Sequence, residues 1–473
     1  MAPQKASKPT EAAGAPLRIC MVSDMFYPGL GGVEMHIYQL AQCLLQRGCK
    51  VVVLTHFRGH RHGVRYMANG LKVYYVPFLP FHDNATLPTL FSFFPLMRKI
   101  LIREQIDIVH GHQATSEMAH ECIFHARTMG FKTVYTDHSL FGFADAACIH
   151  VNKLHKFFLT NVHHAICVSN AGKENLVLRA SVDPLDVSVI PNAVNIRLFV
   201  PEPVRRPAPP TVNIVVISRL TYRKGTDLLV DVIPAVCERH QHVNWIIGGD
   251  GPKRLLLEEM IEREALHDRV ELLGALAHDG VRDVLTRGHV FVNTSLTEAF
   301  CSAIVEAAAC GLLVVATDVG GVPEVLPPHM LQLARPEAKS IVEVLSHSLT
   351  MLPTADQSRD FHAEVKEMYS WHDIALRTER VYHQVMAMEP VNLRTWLLRF
   401  LRVGPVSGPI AMLVVALDTI LWWILEWLQP ASAIEVAWEL PRFPHREMGS
   451  SNGKADSGMW RRVTSAWLPS RCK

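Results

Sequence analysis

Residues Leu17–Phe26 read LRICMVSDMF, and Tyr27–Gly32 follow as YPGLGG. The first run is apolar with β-branched members and predicts a strand that ends in a glycine turn. From Val33 to Arg47 the apolar residues recur at helical spacing, with Val33, Ile37, Leu40, Ala41 and Leu44 on one face. Gly48 closes that helix, and Lys50–Thr55 predicts the next strand. A strand, loop, helix and strand in this order form the repeating unit of a parallel sheet covered by helices. The pattern continues outward, with strands predicted at Leu71–Pro77, Ile106–His110, Thr133–Thr136 and Ala165–Ser169 and helical patterns between them.

At Pro201–Pro210 the chain reads PEPVRRPAPP, which propagates neither a helix nor a central strand and is expected to be a linker. The alternation then restarts. Strands are predicted at Val212–Ser218, Asn244–Gly248, Val270–Leu273, His289–Asn293 and Leu312–Ala316, and helices at Asp227–Arg239, Lys253–Ala265 and Ala303–Ala309. The expectation is an α/β chain of two doubly wound, Rossmann-like domains. They run over 17–200 and 211–385, the second with a returning C-terminal helix. A cleft between them would take ligands at the carboxyl ends of the strands.

Composition agrees with a large folded body. Of 473 residues, 49% are hydrophobic and 19% charged, which supplies a core and excludes general disorder. The formal charge of +2 carries no polyelectrolyte signature, and no long basic stripe marks a nucleic-acid face. The ten cysteines form no C-x-x-C pair; Cys43 with Cys49 and Cys301 with Cys310 lack ligand spacing. They read as reduced core residues, which implies the cytosol for the main body. Met1–Pro16 is polar and lacks the apolar stretch of a signal peptide, so 1–16 is expected to be a disordered leader.

Near the end, Pro409–Leu428 reads PIAMLVVALDTILWWILEWL. About 20 residues at 1.5 Å each span roughly 30 Å, the thickness of a hydrocarbon layer. Ten strongly apolar residues contribute roughly −5 kcal/mol to insertion, and a central acid, Asp418, costs about 3 kcal/mol. The sum favours a transmembrane helix over 409–428. Trp422, Trp423 and Trp427 cluster toward one end, as in an interfacial belt. The competing reading is a buried or re-entrant hairpin, in which Asp418 meets a partner helix. With no signal sequence ahead of it, the body is expected to stay cytosolic, leaving 429–473 as a lumenal tail.

Several short motifs sit where strands end. Gly29, Gly31 and Gly32 precede the first helix, where a glycine backbone and a helix N-terminus suit a phosphate. The spacing is not G-x-G-x-x-G, which counts against a dinucleotide fingerprint; a plain turn remains an equal reading. Ser218–Gly225 reads SRLTYRKG, placing Arg219 and Lys224 after a strand, where two cations can neutralise a diphosphate leaving group or form a solvated basic turn. Gly248–Pro252 reads GGDGP, and Gly249 and Gly251 allow close approach to a ligand or simply a turn. Glu298 and Glu306 bracket EAFCSAIVE, and both can accept hydrogen bonds from sugar hydroxyls at a cleft mouth. Glu306 sits among small apolar residues, unlike an ordinary surface acid. His138, in TDHS, also follows a strand. No D-x-D pair or carboxylate cluster offers a metal site, so Arg219, Lys224 and the glycine-turn helix are expected to carry the charge.

Taken in order, GGVE from Gly31, SRLTYRKG from Ser218, GGDGP from Gly248 and TSLTEAFCSAIVEAAACG from Thr294 resemble the retaining family-4 glycosyltransferases, which have the two-domain GT-B architecture. Over about Arg18 to Ala437, further strings such as TDHSLFGFAD and SVIPNAVN are similar to the family of catalytic subunits that make phosphatidylinositol N-acetylglucosaminide in GPI-anchor biosynthesis. That resemblance implies transfer of N-acetylglucosamine from UDP-GlcNAc to phosphatidylinositol at the endoplasmic reticulum membrane, within a complex of other membrane subunits. It implies Arg219 and Lys224 on the diphosphate and Glu306 on the ribose. Glu298 and His138 would contact the transferred sugar or its phosphate, and the backbone of Gly31 and Gly32 the diphosphate or acceptor. It implies no cofactor and no metal.

Other readings stay open at this level. They are another UDP-sugar transferase acting on a different lipid or a soluble acceptor, a UDP-sugar epimerase of the same architecture, and a non-catalytic membrane adaptor. Donor and acceptor rest on resemblance, since UDP and GDP sugars differ by contacts that motifs do not set.

Overall fold

The opening run forms the strand β1, Arg18–Val22, whose last four residues are buried. It is followed in the first lobe by β2 (Lys50–His56), β3 (Gly63–Tyr66), β4 (Lys72–Val76), β5 (Pro80–His82), β6 (Ala85–Thr86), β7 (Ile108–His112), β8 (Lys132–Asp137), β9 (His164–Cys167) and β10 (Val187–Val189). The second lobe holds β11 (Val212–Ile217), β12 (Val243–Gly248), β13 (Val270–Gly274), β14 (Val290–Asn293), β15 (Leu313–Thr317) and β16 (Leu331–Ala334). These come from a computed structural model, which describes residues 16–438 apart from 30, 83 and 143–145. The expected leader up to residue 15, and residues 439–473 of the expected tail, lie outside the described residues.

The first sheet has the order β10-β9-β8-β7-β1-β2-β4-β3. Its pairings are parallel except for β3 on β4. The second sheet is β13-β12-β11-β14-β15-β16 and wholly parallel, the order of a dinucleotide-binding sheet. The strand order reverses between β1 and β7 in one sheet and between β11 and β14 in the other. Those reversals open crevices at the strands' carboxyl ends, where helices leave on opposite faces. The core strands are near-continuous apolar runs, as sheets covered on both faces require: Ile19, Val53 and Ile108 in the first, Ile214, Trp245 and Val290 in the second, all about fully buried.

The sequence reading misses β3, the small β5–β6 hairpin, and the β10 and β16 edges, each short and without a strong alternation. It also places β7 two residues early, which matters because the true strand carries His112 at its end. After the second sheet the chain returns to the first lobe through the helix Trp371–Met386. Its Glu379 pairs with Arg47 at 2.6 Å, and its Tyr382 hydroxyl lies 2.7 Å from His110 Nδ1.

The apolar segment forms a helix, Ser407–Leu428. One face, with Gly408, Ala411, Val415, Asp418 and Thr419, is buried against the first lobe. Asp418 is fully buried there: His125 Nδ1 lies 2.8 Å from its carboxylate, and the Thr128 hydroxyl donates to it. The acid that weighed against insertion therefore meets its own chain rather than lipid. Arg98 of the helix Phe94–Arg103 pairs with Glu426. The opposite face, with Leu413, Trp423 and Trp427, is exposed. By length and composition the helix can cross a membrane.

Candidate active site

The carboxyl end of β11 leads into Ser218–Gly225, and that of β14 into Thr294–Glu298, so the sheet reversal sets these loops side by side. Gly225 has φ +67°, and a Cβ there would lie 1.8 Å from the Thr294 carbonyl oxygen. Only glycine permits that nesting. The Thr294 hydroxyl closes it by donating to the carbonyls of Lys224 and Gly225 at 2.9 and 3.1 Å. The result aims Lys224 Nζ at Glu298, which also accepts from the Ser295 hydroxyl at 2.9 Å. Burial works against the Lys224 charge, but Glu298 outweighs it and holds the ammonium above its ordinary range. Arg219 is exposed on the same loop and close enough to Lys224 to oppose its charge.

Gly249 and Gly251 serve this loop from beneath. Their φ values are +135° and +156°, and Cβ atoms there would lie 1.8 Å from the Ser218 carbonyl and 2.5 Å from the Leu220 carbonyl. The close approach these glycines permit is to the backbone beside Arg219, held by Leu220 N–H donating to Asp250 at 2.9 Å.

Glu306 lies on the helix Ser302–Ala309, which begins just after Glu298. It lines a cavity of about 220 Å³ together with Gly31, Gly32, His36, Asn192 and Trp371, so residues of both lobes share one enclosure. Burial alone pushes the Glu306 carboxyl up to about 8. A larger space, about 590 Å³, lies under the 203–211 linker and contains none of the candidate residues. At the glycine turn the anion already present is the chain's own. A Cβ on Gly31 would be 2.3 Å from Glu34 Oε2, whereas one on Gly32 meets nothing within 4 Å. Glu34 in the first turn sits where the helix end attracts negative charge.

His138 follows β8 and meets three histidines that the sequence reading passed over. His36 is 4.7 Å from it between ring centroids, His112 Nδ1 is 3.5 Å from its Nε2, and His110 is 4.0 Å from His112 between centroids. Burial holds His36 down at about 4 and His110 at about 3; His112 and His138 are also held well below the ordinary range. The cluster is thus uncharged at neutral pH. Ligand atoms of His36, His112 and His138 lie within 4.8 Å of one another, a donor set of the kind zinc takes. The signal in sequence was the H-x-H at the end of β7, which looks like any strand terminus until β1, β7 and β8 are laid side by side.

The loop carrying His138 is itself anchored. Asp137 is buried and pairs with Arg179, which also reaches His155; Ser139 N–H donates to Asp137 at 3.2 Å. Burial raises the Asp137 carboxyl, opposed by Arg179. Beyond His138, the Leu140 side chain lies against Gly320 of the second lobe, whose neighbour Gly321 donates its N–H to the Glu298 carbonyl at 2.9 Å. Across the same junction Glu324 accepts from the Asn170 and Ala171 N–H groups at 2.7 and 2.9 Å, capping a first-lobe helix with a second-lobe acid.

Comparison with known proteins follows this division. The family described as PIGA (GPI anchor biosynthesis) matches residues 56–145, and that of glycosyl transferases group 1 matches 211–350. The chain is 52% identical over 437 residues to a phosphatidylinositol N-acetylglucosaminyltransferase subunit of Arabidopsis thaliana, covering 92% of this chain and 97% of that one. To the Homo sapiens protein of the same name it is 49% identical over 447 residues, covering 92% of each. Among solved structures it is similar to a sucrose-phosphate synthase from Thermosynechococcus elongatus, with TM-score 0.65, 20% identity and coverage of 78% of this chain and 99% of that one. It is also similar to Anabaena HepE in complex with UDP, with TM-score 0.60, 20% identity and coverage of 78% and 100%. The fold is therefore GT-B.

Proposed function

The chain belongs to the family of glycosyltransferase subunits of phosphatidylinositol N-acetylglucosaminyltransferase, and on that premise we propose that it transfers N-acetylglucosamine from UDP-GlcNAc to phosphatidylinositol with retention and without a metal at the diphosphate. It is a glycosyltransferase subunit of GPI-anchor biosynthesis and works with other subunits. The finer reading adds a catalytic body on the cytosolic side of the endoplasmic reticulum membrane.

In this reading the Lys224–Glu298 pair is the resting form of the donor site. Lys224 and Arg219 balance the diphosphate, and Glu298 is freed to accept hydrogen bonds from the sugar. Glu306 takes the ribose hydroxyls, and His138, neutral and half-buried, contacts the sugar. The backbone of Gly31 and Gly32 faces the diphosphate or the acceptor. The anomeric C–O bond to UDP breaks as the inositol hydroxyl oxygen bonds to the same carbon on the same face. The hydroxyl proton passes to the leaving phosphate oxygen. The observation that carries this reading is the joining of Glu306 and the glycine turn in one cavity lined by both lobes, with Glu298, paired to Lys224, just ahead of the helix that carries Glu306.

The test is a membrane assay of the complex with labelled UDP-GlcNAc and phosphatidylinositol, wild type against Glu298→Ala. Formation of labelled glycolipid by wild type and its loss in the variant are expected. Labelled product with a different lipid or sugar only would assign another UDP-sugar transferase.

A further inference from the structure

The segment Leu87–Leu90, after β6, exposes its large apolar side chains while its backbone is pinned by buried polar groups. Leu87 and Leu90 are 56% and 59% exposed, and Leu79 and Phe81 nearby are more so. Underneath, the Thr86 hydroxyl donates to Asp24 at 3.0 Å. Thr89 N–H and Leu90 N–H donate to Glu121 at 2.5 and 2.6 Å, and His125 Nε2 lies 2.8 Å from the Leu90 carbonyl. Leu90 has φ +52°, a conformation a leucine adopts only when its surroundings impose it. A fold that spends buried hydrogen bonds and backbone strain on holding two leucines in water leaves them a purpose other than packing.

The same His125 joins this loop to the apolar helix. Its Nδ1 meets Asp418 of Ser407–Leu428, and its ring stacks on Phe94 with centroids 4.4 Å apart. Phe78 and Leu96 near the loop pack in one cluster with Leu421, Trp422 and Leu425 of the helix. Besides the buried Arg98, which Glu426 neutralises, the elements flanking the helix, Phe94–Arg103 and Leu393–Val403, carry five cations (Lys99, Arg103, Arg394, Arg399, Arg402) and no acid. A rim of cations around an apolar surface complements the anionic face of a bilayer.

We propose that Leu87–Leu90 is a membrane-inserting loop that, locked to Ser407–Leu428 through His125, seats the first lobe on the bilayer. The occupant is the lipid bilayer, continuous with the lipid-facing stripe of the helix. Through Thr86 and Asp24 the loop reaches the carboxyl end of β1, so a lipid headgroup rising beside it enters the cleft without leaving the membrane. Only this last consequence rests on a lipid acceptor; the docking does not.

The test uses the full chain with its partner subunits in nanodiscs of phosphatidylcholine and phosphatidylinositol. A benzophenone side chain placed at Leu87 should crosslink to lipid; adducts on another protein of the complex, or no lipid adduct, overturn the proposal. In parallel, Leu87→Gln combined with Leu90→Asn keeps the pinned backbone, because asparagine tolerates the left-handed conformation. It should raise KM for bilayer phosphatidylinositol by about tenfold with kcat and UDP affinity unchanged, since membrane affinity follows the apolar area inserted. An unchanged KM overturns the proposed route into the cleft. Lipid adducts without transfer to phosphatidylinositol would uphold the docking and defeat the acceptor assignment.

Discussion

Replacing Glu306 by glutamine tests the donor site through its proton. Burial pushes the carboxyl from its ordinary 4.5 up to about 8, so at pH 7 the empty site holds it mostly neutral, by about ten to one. A ribose offers two hydroxyl donors, which the carboxylate can accept together and the neutral acid cannot. Binding UDP at pH 7 therefore costs about 1.4 kcal/mol to release the proton, and that cost vanishes by about pH 9. Titration calorimetry of the complex with UDP should show affinity strengthening about tenfold from pH 7 to pH 9. Glu306→Gln should bind UDP more weakly by about 1.5–3 kcal/mol at pH 9, the worth of a hydrogen bond to a charged group, and lose that pH dependence. The variant measured over the same range also removes the titration of UDP itself from the comparison. The linked effect on the empty protein has a definite sign. The folded-state value lies above the unfolded one, so the stabilisation is complete below about pH 4.5 and is lost as pH rises through about 8. Wild type should lose thermal stability across that window by more than the variant. A pH-independent UDP affinity in wild type, or the same slope in both proteins, refutes the assignment.

Three further outcomes are expected. Lys224→Met should lower kcat by about 10²–10³, the usual loss on removing one preorganised charge partner, and unchanged turnover in the membrane assay would exclude the diphosphate role. Gly225→Ala forces a Cβ to within 1.8 Å of the Thr294 carbonyl in a positive-φ turn and should destabilise the second lobe by about 3 kcal/mol or more, read by thermal unfolding. Arg179→Leu leaves Asp137 buried and uncompensated; a loss of about 3–5 kcal/mol, with turnover falling as the His138 loop loosens, is expected, and wild-type stability would contradict the anchoring role.

Periodicity and punctuation alone determine the class of this protein. The apolar runs of β1, β11 and β12, each followed by a glycine turn and an amphipathic helix, can satisfy their backbones and bury their faces only in helix-covered parallel sheets. The same local signals place Arg219, Lys224, Glu298 and His138 at strand ends, and mark Pro409–Leu428 as long and apolar enough for a membrane. Tertiary structure decides what each of these meets. Gly249 and Gly251 read equally as ligand turns and are occupied by the Ser218 and Leu220 carbonyls. Gly31 reads as a phosphate seat and has Glu34 against it. His36, His110 and His112 lie far apart in the chain from His138 and become one neutral cluster only when β1, β7 and β8 lie side by side. Asp418 counts as a penalty in a one-dimensional sum, yet it is satisfied by His125, nearly three hundred residues earlier. Local propensity depends on neighbours within a few residues, whereas burial and partner choice depend on which strand ends the sheet order brings together, and no spacing rule encodes that order.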